Sequence, residues 1–279
     1  MNSRGFLAGL VAIAAGVIAA IAAAGSVLLL STPDSEVASA PDPTAVPTVA
    51  VEQAIDLATD VCSPTFDVAG RPSVRVFDPF YTTQREVLGI TIVAGPEVDS
   101  AAIDIAEVTI RRMFEGNDRE DALVEAGAYI VVAEPDQGVL DLPEFSCLED
   151  QLGTRFFTHV CGIADRAENP VATVNALDLL GSRRGPCDGV NILYHEIGHL
   201  VHGWSVDPPD YIETRWLYDA AMKAGLYDGL YASTNFREYF AEGTQAYFDA
   251  QDREGTRNRT WLEHHDPELY ELIRRVYGE

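Results

Sequence analysis

Hydrophobic and polar positions change rhythm twice along the chain. Residues 5–30 are uncharged and almost wholly apolar, a run longer than the roughly 20 apolar residues that a membrane-crossing helix needs. Residues 31–47, STPDSEVASAPDPTAVP, contain no aromatic side chain and too little apolar surface to order themselves. They read as a tether. From residue 49 short periodic pieces follow one another. Residues 49–61 read as a short helix, and residues 73–77 and 87–94 (VLGITIVA) as strands, because both are β-branched and bounded by Gly or Pro. Asp99 opens a helix to residue 115 with Ile103, Ala106, Ile110, Met113 and Phe114 on one side. Residues 118–126 predict a second helix and residues 128–133 a buried strand. Residues 170–180 (PVATVNALDLL) read as a strand, either covered or at a sheet edge where an extended peptide would pair with it. After residue 190 the rhythm is helical: 191–203, 208–224, 235–252 and 266–277, the last capped by Asp266 with Pro267 at its first position. The pattern predicts an α+β fold, with a small mixed sheet and helices in the N-terminal half and a mostly helical C-terminal half. The expected organisation is an apolar segment (1–30), a linker (31–48) and one folded domain (49–279).

Charge sharpens the reading of the first segment. Arg4 precedes the apolar run, and Asp34 and Glu36 follow it. By the positive-inside tendency the C-terminal bulk then lies outside the cell. An uncleaved anchor is expected, giving a single-pass protein of the cell membrane. A removed signal peptide, giving a secreted protein, is the competing reading. Over all 279 residues, 19 Lys and Arg stand against 44 Asp and Glu, a net charge of −25. Such a surface repels phosphate backbones, so no nucleic-acid partner is expected. The folded domain is expected to be a monomer.

The four cysteines, Cys62, Cys147, Cys161 and Cys187, form no C-x-x-C pair. An even count in a chain placed outside the cell points to two disulfides. Favouring the short local loop pairs Cys147 with Cys161 and leaves Cys62 for Cys187.

Candidate chemistry concentrates in residues 191–203, NILYHEIGHLVHG. His195, Glu196 and His199 spell H-E-x-x-H. On a helix, residues four apart share a face, so both imidazoles reach one metal ion while Glu196 points at the water that the ion carries. Ile192, Leu193, Ile197, Leu200 and Val201 supply the apolar remainder, Gly203 is a plausible stop, and His202 is expected at the surface of the helix end. A catalytic zinc takes three protein ligands, so a third is required. The pattern with a further His six residues on fails, since that position is Ser205. Residues 235–245, NFREYFAEGTQ, offer Glu238 and Glu242 four apart on one face of an otherwise apolar helix. Two inward carboxylates are costly without a cation. One of them can bind the metal while the other accepts the outer ring N–H of a liganding histidine.

HEIGH followed by EYFAE resembles the gluzincin metallopeptidases, most closely the branch of anthrax lethal factor and the Pro-Pro endopeptidases. The resemblance covers residues 192–248, about a fifth of the chain. It implies a zincin-like fold, a Zn2+ ion held by His195, His199 and Glu238, and Glu196 as general base. It implies Glu242 as partner of a liganding histidine, and Tyr231, seven residues before Glu238, as a hydrogen-bond donor to the oxyanion. The substrate would be a peptide or protein. The N-terminal half matches no pattern of that family, so cleavage preference is not implied. The competing reading is a zinc-binding cell-surface interaction domain without catalysis. Against it stand the presence of Glu196 and the want of the fourth protein ligand that a structural site uses.

Overall fold

Leu88 and Gly89 both have positive φ, 51° and 80°, and they reverse the chain within two residues. The stretch read as one strand over 87–94 is therefore a hairpin. Strand β1 (Thr83–Val87) runs antiparallel to β2 (Ile90–Ala94), with Val87 opposite Ile90. Two successive left-handed residues give the turn whose twist matches the flanking strands. Leucine is an unusual choice for the first of them, which is why the sequence hides the turn. A Cβ on Gly89 would also meet Val124 Cγ2 at 2.9 Å.

The computed structural model describes residues 77–146, 160–165, 170–252 and 254–278, all inside the compact unit Ile55–Glu279. After the hairpin comes α1 (Ser100–Phe114), where the Asp99 carboxylate accepts the Ala101 N–H at 2.9 Å as an N-cap. Helix α2 (Arg119–Ala126) ends at left-handed Gly127 and leads into β3 (Tyr129–Ala133). Strands β4 (Ala164–Asp165) and β5 (Val171–Asn175) complete a sheet of order β1-β2-β3-β5-β4. The pairs β2–β3 and β3–β5 are parallel, and both outer pairs are antiparallel. The α+β architecture is as the sequence predicts. The open choice at residues 170–180 resolves to a covered strand, because β5 lies between β3 and β4 and is buried throughout. Its second half turns into a short helix, α3 (Ala176–Leu179).

Alternation along the strands divides the core. Ile92, Ala94, Ile130, Val132, Ala172 and Val174 face the helical layer, while Val93, Tyr129, Val131 and Val171 face a smaller cluster. Under that second face a buried Glu144 accepts hydrogen bonds from the hydroxyls of Tyr81 (2.5 Å) and Tyr129 (3.0 Å), which offsets the cost of burying it.

The C-terminal part is helical: α4 (Leu193–Leu200), α5 (Pro208–Ala224), α6 (Phe236–Tyr247), α7 (Arg259–His265) and α8 (Pro267–Val276). Helix α4 does not stop at Gly203 but widens into a π-helical turn, Val201–Ser205, with the Val206 N–H on the Val201 carbonyl at 2.9 Å. That turn carries His202 inward, where its ring stacks between Tyr211 and Phe240, 4.6 Å from each. His202 is thus a core residue and not the surface histidine that its place near the helix end suggests. Helix α6 ends at Tyr247, earlier than the pattern to residue 252 implies, and Asp249 stands in the left-handed region at φ 60°. The short α7, capped by Asn258, has no counterpart in the sequence reading.

Two further expectations need correction. No helix among the described residues is long and apolar enough to cross a membrane, so the membrane anchor and the single-pass placement at the cell membrane are not supported. The apolar segment, the linker, the helix read at 49–61 and residues 73–76 all lie outside the described residues. The second concerns the cysteines: Cys161 is bonded to Cys187, not to Cys147. Loop length was the wrong guide, because tertiary packing sets the partner. Cys161 lies just before the edge strand β4, and the loop that carries Cys187 is held by Asp178. Cys62 and Cys147 lie outside the described residues.

Asp178 is fully buried and accepts the backbone N–H of Cys187 on both oxygens (3.1 Å each) and that of Gly189 at 2.8 Å. Burial pushes its carboxyl up from 3.8 to about 6, against the pull of those N–H groups. A folded-state value above the unfolded one means that the native form binds the proton more tightly. The contribution to stability is then complete below pH 3.8 and is lost as pH rises toward about 6. Asp178→Asn should remove that slope from urea unfolding measured between the two pH values; an unchanged difference from wild type would contradict the assignment.

Candidate metal centre

The start of α4 is tied down by Asn191. Its side-chain oxygen accepts the Leu193 N–H at 3.1 Å, and its amide donates to Thr109 Oγ1 on α1 at 3.0 Å. Leu193, Ile197, Leu200 and Val201 are buried and fix the rotation of the helix. Helix α6 begins at Asn235, whose Oδ1 accepts the N–H groups of Arg237 (2.8 Å) and Glu238 (2.9 Å). Glu238 therefore sits in a capped first turn, where the helix dipole favours a carboxylate. The two helices meet at Gly198: a Cβ there would lie 3.2 Å from Thr244 Cβ and 3.3 Å from the Ala241 Cα. Any larger side chain at this crossing would hold the helices apart.

That close crossing brings three donor atoms together. His195 Nε2 lies 3.0 Å from His199 Nε2 and 3.0 Å from Glu238 Oε2, and His199 Nε2 lies 3.2 Å from the same Glu238 oxygen. Two imidazole nitrogens and one carboxylate oxygen, all converging within 4.8 Å of one another, form a group that could hold a metal ion. For donors about 2.0–2.1 Å from a tetrahedral ion the edges should be about 3.3 Å, so the observed triangle fits such an ion. The chemistry agrees, since two ring nitrogens aimed at each other and at a partly buried carboxylate need a positive charge between them. Burial disfavours a charged His195, yet its hydrogen bonds to Glu238 and Glu242 outweigh this and hold it well above the usual histidine range. Burial likewise pushes Glu238 up, but His199 and His195 more than reverse it and keep the carboxyl well below the usual range.

Glu242, one turn after Glu238, lies 3.4 Å by its Oε1 from His195 Nδ1. Its other oxygen accepts the Gln251 amide at 2.5 Å and is 3.9 Å from Arg257 Nη1. No spacing in the sequence points to Gln251 or Arg257, because the chain reverses between them and α6. Glu196 is 6% exposed and is not among the three converging donors. Burial lifts its carboxyl to about 8, opposed by His195 and helped by the charge of Glu238. Tyr231 lies in a 3-10 turn, Tyr231–Ser233, before α6. Its ring is 6.2 Å from that of His195 between centroids, and the residue is 53% exposed. The negative charges of Glu238, Glu196 and Glu242 hold its phenol well above the usual tyrosine range. The sequence-derived residues His195, Glu196, His199, Tyr231, Glu238 and Glu242 thus gather in one place, while His202 does not join them.

No protein-family model and no curated protein matches the chain. Among solved structures it is similar to that of the Pro-Pro endopeptidase PPEP-2 from Paenibacillus alvei. The two are 21% identical, the match covers 66% of this chain and 96% of that one, and the TM-score is 0.46.

Proposed function

We propose that the chain is a zinc-dependent endopeptidase, with His195, His199 and Glu238 as metal ligands and Glu196 as general base. The observation that carries this reading is the convergence of three ligand atoms with a buried, non-liganding carboxylate one residue from the first histidine. A closed structural site would use a fourth protein ligand; three donors leave a place for water. When bound, zinc would acidify that water and polarise the substrate carbonyl. Glu196 takes the proton from the attacking water and hands it to the leaving nitrogen. The Tyr231 hydroxyl donates to the oxygen on which charge develops. Glu242 accepts the Nδ1–H of His195, which leaves Nε2 free to face the metal.

The test begins with the purified protein and a mixed peptide library. One equivalent of bound zinc is expected, with cleavage that a chelator abolishes and added zinc restores. Zinc uptake without any cleavage would reduce the chain to a binding module. For Tyr231→Phe, kcat should fall by about 10²–10³-fold at unchanged zinc content. Undiminished turnover would remove the hydroxyl from the reaction.

A further inference from the structure

We propose that Gln251 is a positioning residue of the metal centre: its side-chain amide fixes Glu242, and through Glu242 the ring of His195. This rests on the zinc reading above and extends it to a loop that holds no candidate ligand. The carboxylate of Glu242 divides its two oxygens. Oε1 faces His195 Nδ1 at 3.4 Å, and Oε2 accepts the Gln251 Nε2–H at 2.5 Å. A glutamate held at one oxygen alone keeps its terminal torsion free. Held at both, its plane is set, and with it the direction in which the His195 N–H must point. Both side chains are closed off from solvent, Glu242 at 9% and Gln251 at 8% exposure, so water is a poor substitute for the amide.

The chain around Gln251 is built to hold it there. Past α6, left-handed Asp249 turns the backbone back. The Ala250 N–H reaches the Gln245 carbonyl at 2.9 Å, and the Gln245 amide returns a bond to the Ala250 carbonyl at 3.0 Å. Asp249 Oδ1 accepts the Arg259 N–H at 2.9 Å and ties the far side of the loop. Asp252 accepts from the backbone of Thr256 and Arg257 at 2.8 Å each and stands 3.7 Å from Arg257 Nε. Arg257 then sets its positive charge 3.9 Å from the same Glu242 oxygen. A neutral amide at the shorter distance anchors the carboxylate without drawing it away from the histidine, as a cation in direct contact would.

The experiment measures zinc dissociation constants by competition with a chromophoric chelator. It compares wild type, Gln251→Glu, Glu242→Gln and the double variant Glu242→Gln/Gln251→Glu. Gln251→Glu keeps the shape but sets two carboxylates against each other, and affinity should fall roughly 10–100-fold, the range for lost outer partners of liganding histidines. In the double variant amide and carboxylate change places. The bond between them re-forms with opposite polarity, a carbonyl oxygen still faces His195, and affinity should return to within a few-fold of wild type. Gln251→Met removes the donor without adding charge and should weaken binding in the same direction; thermal unfolding of the metal-free proteins checks that each variant is folded. Wild-type affinity in folded Gln251→Glu and Gln251→Met would overturn the proposal alone, as would losses that simply add in the double variant. A wild-type chain that takes up no zinc would overturn the zinc reading and this proposal together.

Discussion

Glu196→Gln is expected to leave the protein folded and loaded with zinc while peptide hydrolysis falls by about 10²–10⁴-fold. The two side chains have the same size and shape, so the buried place that Glu196 occupies at 6% exposure needs no repacking. None of the three converging donors belongs to this residue, so metal content should hold. An amide cannot take up a proton, and the water at the site loses its acceptor. Stability of the metal-free protein should hold or rise, because the carboxyl that burial lifts to about 8 is one the fold disfavours in its charged form. Elemental analysis and steady-state kinetics on one preparation decide the matter. Retained turnover would show that another group takes the proton; loss of zinc would make Glu196 a ligand.

Gly198→Leu should act on the same centre without touching any of its polar groups. Even an added Cβ is tight against Thr244 and Ala241, at 3.2 and 3.3 Å. Three more carbons have to lie between α4 and α6, and overpacking of this kind costs about 1–3 kcal/mol. For a domain of this size that corresponds to a fall in Tm of roughly 2–12 °C. The larger effect falls on the metal. His195 and His199 ride on one helix and Glu238 on the other, and a well-formed metal site keeps its ligand distances within about 0.2 Å of their usual values. Zinc affinity should drop by more than tenfold in a variant that still melts cooperatively. If such a variant bound zinc as tightly as wild type, the close crossing would not be what sets the triangle.

What the sequence discloses about this centre is its local part. His195 with His199 and Glu238 with Glu242 are each four residues apart, and on a helix that spacing alone puts each pair on one face. That the two faces meet depends on Gly198, whose small size appears in HEIGH but whose neighbours do not. Gln251 and Arg257 were illegible because their approach to Glu242 depends on one left-handed residue, Asp249, and on hydrogen bonds that close a loop. The hairpin at Leu88–Gly89 was missed for a related reason: a leucine adopts a conformation that propensity reserves for other residues. His202 was misplaced because a π turn shifts which side of a helix its last residues show. The cysteine pairing failed because proximity along the chain says little once a sheet edge and a buried aspartate decide which segments lie together. The α+β layering survived all of this, since alternation in strands and the helical period are properties of short windows.

Cys161 is followed directly by Gly162, and a Cβ at Gly162 would stand 3.0 Å from Glu196 Oε1. The sulfur bridge to Cys187, 26 residues on, therefore braces the wall beside Glu196, the proposed proton acceptor, while leaving the three proposed zinc donors untouched. Opening a loop of that length would return about 3.5 kcal/mol of chain freedom to the unfolded state. The firmness of that wall is thus lent by the redox poise of the surroundings, and in a thiol-rich compartment the same residues would stand on looser ground.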